Sequence, residues 1–162
     1  MKILKLTVAI VSLFSIACTS IAGEGVKPAY TKEFFIKGNS IRINVVVNRP
    51  KMETNLDSTL LWGTEFATPN NNIEKIDVYF SGERIKIPYS SYSDLVNIRN
   101  VSIDILNDSF SINVTGGDAA TSYTATLLFS KIGMLQTRQV SSSEFPDVSW
   151  EKTEYSYNLS EN

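Results

Sequence analysis

The 162-residue chain contains no histidine and a single cysteine, Cys18. The first absence removes the commonest general base, the commonest zinc ligand and the usual pH switch together. Ser-His-Asp and Cys-His catalysis are excluded outright. One cysteine excludes intramolecular disulfides and multi-thiolate metal sites. Positive charge is in short supply as well, with 15 Lys and Arg against 17 Asp and Glu and a formal net charge of −2. Lys2 and Lys5 are the only charged residues before Gly23, so removing their two positive charges from −2 leaves −4 on the rest of the chain. A mildly acidic body argues against a nucleic-acid partner, which needs a basic face. No repeat of solenoid or propeller length is visible, and nothing resembles a heptad. No motif calls for a cofactor or a metal.

What is present begins with an export pattern. Lys2 and Lys5 form a positive n-region, and Leu6 to Ala17 is an apolar run of h-region length, too short to span a bilayer comfortably. Ser20-Ile21-Ala22 then places small residues at −3 and −1. Residues 1–22 are therefore expected to be a signal peptide, removed by cleavage between Ala22 and Gly23, which puts the protein in a bacterial periplasm or outside the cell. Cys18 opens a second route, lipidation. Ala17 fits a lipobox, but Ser15 stands where Leu is usual. A membrane enters only by that route. If Cys18 leaves with the signal, the mature chain carries no thiol, which suits an oxidising compartment.

The remaining residues, roughly 140, support one domain that can hold a core without disulfides. Residues 23–39 read as an irregular leader with a short strand at Phe34-Phe35-Ile36, and 40–162 as a single β-domain. Ser40–Asn48 alternates, with Ile41, Ile43, Val45 and Val47 on one face. Further strands are expected at Thr59–Ala67, Lys75–Phe80 and Arg84–Ile87. Val101–Leu106, Phe110–Thr115, Ser122–Ser130 and Met134–Val140 come next as consecutive antiparallel strands, and Ser149–Tyr157 closes the chain. Pro88 to Arg99 breaks the period. There Ser91 and Asp94 have capping-box spacing, pointing to one or two helical turns over Tyr92–Val96. The expected class is all-β: an antiparallel sandwich or partly closed barrel of about eight or nine strands with at most one short helix.

Gly116-Gly117-Asp118 is the first stretch to test for chemistry. Phosphate loops run from a strand into a helix N-terminus, yet Thr121, Tyr123, Thr124 and Thr126 favour a strand. A wide turn needing positive φ is the better reading. Asp104, Asn107, Asp108 and Asp118 would offer calcium oxygen ligands if gathered at one sheet end, but their spacing matches no calcium loop and such residues are ordinary turn formers. Carboxylates for a hydrolase abound (Glu65, Asp77, Glu144, Asp147, Glu151, Glu154), which makes no single pair informative. Four N-glycosylation sequons, at Asn100, Asn107, Asn113 and Asn158, are what chance produces in a chain rich in Asn, Ser and Thr.

The better cluster is aromatic and charged: Tyr89, Tyr92, Asp94 and Arg99, then Arg138, Glu144, Asp147 and Trp150, with Phe145 and Glu151 beside them. Tyr, Trp and Arg dominate protein-interface energetics. The competing account makes Phe145 and Trp150 core anchors and pairs Arg138 with Glu144 or Glu151 at the surface. The sequence thus points to a non-catalytic exported domain that binds a protein partner, such as an inhibitor, immunity or accessory protein. The alternative is a glycan-binding module, for which Tyr89, Tyr92 and Trp150 would have to share an exposed flat face. A hydrolase working through carboxylates alone comes third.

Overall fold

The computed structural model describes residues 29–49, 61–64 and 68–157. The expected signal segment with Cys18, the sequon at Asn158 and most of the strand expected at Thr59–Ala67 lie outside the described residues. Among the described residues nine strands are present: β1 Ala29–Ile36, β2 Asn39–Asn48, β3 Asn72–Phe80, β4 Glu83–Ile85, β5 Ile98–Ile105, β6 Ser109–Gly116, β7 Tyr123–Ser130, β8 Leu135–Ser142 and β9 Ser149–Glu154. They form two antiparallel sheets, β1-β2-β3-β4 and β5-β6-β7-β8-β9. Each strand lies beside its sequence neighbours, so each sheet is a meander, and the segment 86–97 carries the chain from one sheet to the other. Two separate sheets make this a sandwich rather than a partly closed barrel.

Alternation accounts for most of it. In β2, Ile41, Ile43, Val45 and Val47 are buried, while Arg42 is exposed and Asn44 half-buried. In β7, Tyr123, Ala125, Leu127 and Phe129 are fully buried, and Thr124, Thr126 and Leu128 between them are half-buried. Residues with this period can bury one face of a sheet and leave the other wet. The two inner faces share one core. Phe34 of β1 meets Phe110 of β6 edge-on at 5.5 Å, and Phe110 stacks on Phe129 at 4.9 Å. Each fully buried side chain of this size contributes about 1.5–3 kcal/mol. The open edges are managed by charge: Lys32 of edge strand β1 donates to the carbonyl of Ile103 on edge strand β5 at 2.6 Å.

Several expected elements are corrected. β1 starts at Ala29, not Phe34, because its polar residues Thr31 and Glu33 pair across to Asn44 and Arg42 in a continuous ladder. No helix forms over Tyr92–Val96. A single 3₁₀ turn occupies Tyr89–Ser91 instead, and Leu95 and Val96 make isolated β-bridges to Trp62 and Asn72. Ser91 does not cap; its hydroxyl donates to the carbonyl of Pro88 at 2.7 Å. Leu61–Thr64 contributes that one bridge at Trp62 and a turn at Gly63 rather than a ladder strand. The last strand ends at Glu154, short of Tyr157.

The ladders carry four register shifts; one leaves Glu74 extra in β3, and the other three decide where candidate site residues point. Leu128 pairs with Thr137 but Phe129 pairs with Leu135, leaving Gln136 as an extra residue in β8. Val140 pairs with Glu151 but Ser141 pairs with Ser149, leaving Trp150 extra in β9. Ile98 pairs with Gly116 but Asn100 pairs with Thr115, leaving Arg99 extra in β5. Such bulges switch the face of every later side chain or re-aim the extra one.

Candidate functional site

The bulge at Gln136 puts Arg138 inside. Strict alternation groups Arg138 with Met134 and Gln136; the extra residue instead lets Leu135, Arg138 and Val140 all face the core opposite Phe129, Leu127 and Ala125. Arg138 is 3% exposed. A guanidinium there must be paired, since an isolated buried charge costs several kcal/mol. It donates from one terminal nitrogen to Asp94 Oδ2 at 2.6 Å and from the other to Glu151 Oε1. Asp94 comes from the sheet-to-sheet crossing and Glu151 from β9, so the triad ties three parts of the chain together. The surface pair expected for Arg138 is therefore an internal one, and Glu144 has no part in it.

Burial pushes the Asp94 carboxyl above the ordinary aspartate range even though the Arg138 charge opposes that shift. The cause is visible in its bonding. Only Oδ2 is engaged; Oδ1 is buried with no hydrogen-bond partner among the described residues. Tyr123 lies close by, fully buried, with its hydroxyl donating to the carbonyl of Val96 at 3.0 Å. Its pKa is pushed well above that of a free tyrosine, first by burial and then by the Asp94 charge.

Two tryptophans are rooted beside this triad. The Trp62 backbone N–H donates to the Asp94 carbonyl at 2.9 Å, and Val96 N–H donates back to the Trp62 carbonyl at 3.1 Å. Trp150 precedes Glu151 and is the extra residue of the β9 bulge. Their rings stack at 5.6 Å with a 14° tilt. Trp62 is half-buried, whereas Trp150 is 47% exposed. The pair forms one wall of an open cleft of about 360 Å³, completed by Leu61, Gly63, Thr64, Ala120 and Thr121.

The end of the sandwich carrying the cleft is held by Asn97. It has φ +52°, a left-handed conformation that Asn tolerates better than most residues. Its side chain donates to the Gly63 carbonyl at 2.8 Å and accepts from Asn70 N–H at 2.8 Å. Its backbone accepts from Gly117 N–H at 3.1 Å. Gly117, at φ +67°, is the turn residue expected in the double-glycine stretch; a Cβ there would collide with the Thr121 carbonyl oxygen. The segment after it makes one 3₁₀ turn, Ala119–Thr121, capped by Asp118, and then enters β7.

Beside the cleft, the loop from β8 to β9 is anchored where Ser143 N–H meets the Ser122 carbonyl at 3.4 Å. Phe145-Pro146-Asp147-Val148 then turns, closed by Val148 N–H to Phe145 O at 3.1 Å. Proline at the second position presets that turn. Phe145 is 64% exposed and Val148 60%, so neither Phe145 nor Trp150 is the core anchor of the competing account.

The expected site residues therefore divide. Asp94, Arg138, Trp150, Glu144 and Asp147 gather around the cleft and its adjoining loop. Tyr92 does not join them: it is 6% exposed, packed in the core near Ile76 and Asp77. Tyr89 touches Tyr92 edge-on and is itself exposed. The flat platform of Tyr89, Tyr92 and Trp150 is thus not formed, because Tyr92 faces inward. Arg99 is exposed on its bulge at the β5 start. Trp62 carries no local signal that marks it as a site residue, although the chain has only one other tryptophan. The calcium cluster is split. Asp118 lies at the cleft end and Asp108 at the opposite end, paired with Lys37, while Asp104 accepts from Asn113. Among the described residues no three His, Cys, Asp or Glu side chains are placed to hold a metal ion, and no helix is long and apolar enough to cross a membrane.

Comparison with protein-family models, characterised proteins and solved structures finds no match to this chain.

Proposed function

We propose that this chain is an exported, non-catalytic β-sandwich that binds a protein partner through the Trp62–Trp150 cleft and the Phe145–Val148 turn. The observation that carries the reading is the grouping of Phe145, Val148 and Trp150, all exposed within one loop and bulge, beside a cleft walled by a second tryptophan. Contiguous apolar groups on a surface mark interaction sites, and tryptophan is the residue most enriched at binding hot spots. The presentation is preorganised. Pro146 fixes the turn, and the buried triad pins the roots of both tryptophans, which lowers the ordering cost on binding. Export rests on the sequence of residues 1–22.

The other readings have less support. A glycan platform of three rings loses Tyr92 to the core. A carboxylate hydrolase needs two carboxyl groups with a scissile bond between them; here the space between Asp94 and Glu151 holds the Arg138 guanidinium.

The test is capture from periplasmic extract at near-physiological salt, comparing the wild type with Phe145→Ala/Trp150→Ala and with Phe35→Ser. Phe35 is a highly exposed aromatic on β1, away from the cleft. The expected result is a partner recovered by the wild type and by Phe35→Ser and lost from the double variant. No recovered partner, or one retained by the double variant, overturns the proposal.

A further inference from the structure

Among the described residues, exposed carboxylates lie on three segments beside the cleft. Asp118 is exposed and accepts a hydrogen bond at 3.2 Å from the hydroxyl of Thr121, a residue of the cleft wall. Glu144 is exposed one residue after the Ser143–Ser122 anchor, and Asp147 is exposed in the turn carrying Phe145 and Val148. Beneath the tryptophans, Asp94 and Glu151 share one counter-charge, Arg138. Among the described residues, the other cations at this end of the sandwich are Arg99 on the β5 bulge and Arg49 just after β2, whose neighbour Asn48 pairs with Asn72. Lys152, on β9, is occupied by Glu154 at 2.8 Å.

Trp150 is stacked on Trp62 and is still 47% exposed, which leaves a large part of the residue accessible to a ligand. A tryptophan face attracts a cation more strongly than any other side-chain ring. Exposed carboxylates around it favour cationic partners and disfavour phosphates, sulfated glycans and acidic proteins.

We infer that the partner presents a basic segment, with a lysine or arginine seated over the exposed part of Trp150 and an adjacent apolar side chain against Phe145 and Val148. This deepens the protein-partner reading and rests on it.

The two can be tested apart by selecting a random peptide library on the purified full chain. Bound peptides are then measured against Trp150→Ala and against the combined Asp118→Asn/Glu144→Gln/Asp147→Asn variant. Cooperative urea unfolding checks that each variant keeps a folded domain. The expected peptides pair Lys or Arg with an aromatic or aliphatic residue and lose binding in Trp150→Ala. Their affinity falls about tenfold in the charge variant, and by a similar factor between about 50 and 500 mM salt. Peptides that depend on Trp150 but lack basic residues, or that ignore the charge variant, overturn the basic-segment inference and leave the protein-partner reading standing. A library with no Trp150-dependent peptide, or Trp150-dependent binding of neutral oligosaccharides alone, overturns both.

Discussion

Replacing Arg138 by methionine removes the one cation between Asp94 and Glu151 while keeping an unbranched side chain of similar reach. Arg138 is 3% exposed, and both of its bonds go to carboxylates. Deleting one partner of a buried ion pair costs about 3–5 kcal/mol, because the remaining charge is left uncompensated. Asp94 and Glu151 keep 25% and 37% of their side-chain surface exposed and can turn partly toward water. That places the loss near the lower end, about 3 kcal/mol, or roughly a 10 °C fall in Tm for a domain of this size. The loss should depend on pH with a definite sign. The Asp94 pKa is already raised by burial, and Arg138 is what opposes that rise. Without Arg138 it climbs further. A group whose folded pKa lies above its unfolded value contributes stability that is present below the unfolded pKa and lost as pH rises through the folded one. Arg138→Met should therefore lose most near neutral pH and recover part of the loss at about pH 4. Adding Asp94→Asn and Glu151→Gln should bring the neutral-pH deficit to about 1 kcal/mol, since the charges then leave together. Urea denaturation at both pH values measures all of this. A loss below about 1 kcal/mol in the single variant, equal at the two pH values, would refute a buried, charge-compensated triad.

Tyr123→Phe should cost about 1–2 kcal/mol, by loss of the bond to the Val96 carbonyl at a fully buried site, in thermal or urea unfolding. Tyr123 should also resist ionisation in an ultraviolet titration of the wild type, staying protonated at a pH where a free tyrosine has lost its proton. Asn97→Gly keeps the left-handed backbone and loses two side-chain bonds, about 1–2 kcal/mol; Asn97→Ala adds the conformational cost and should be worse by about 1 kcal/mol. Gly117→Ala meets the Thr121 carbonyl and should cost more than the roughly 1 kcal/mol that positive φ alone imposes; a smaller loss would show that the Ala119–Thr121 turn yields easily.

Alternation was enough to find most of β2, β5, β6 and β7, because the register shifts that touch them fall near a strand end or place the extra residue in the partner strand, so the apolar face of each stays in phase over most of its length. It failed where a ladder takes an extra residue. At Gln136 a one-residue slip moves Arg138 into the core, and no local signal in Met134–Val140 distinguishes that from a strand with mixed faces. At the β9 bulge the extra residue is Trp150, which faces Trp62 across a gap of 88 positions in sequence. A stack at that separation has no local signature. Ser91 and Asp94 had the spacing of a cap, but Asp94 is taken by a buried guanidinium, a stronger partner than a backbone N–H.

By itself the sequence determined the class of the fold, the position of most strands, the exclusion of histidine and disulfide chemistry, and the neighbourhood of the loops that carry the site. The tertiary structure alone decided which face each side chain takes after a bulge, and hence that Arg138 is an internal anchor and Tyr92 a core residue. It also decided that Trp62 joins Trp150. Strand formation is driven by the local period of apolar residues, which is written along the chain. Facing and pairing depend on register between strands, and one inserted residue in one partner reverses it.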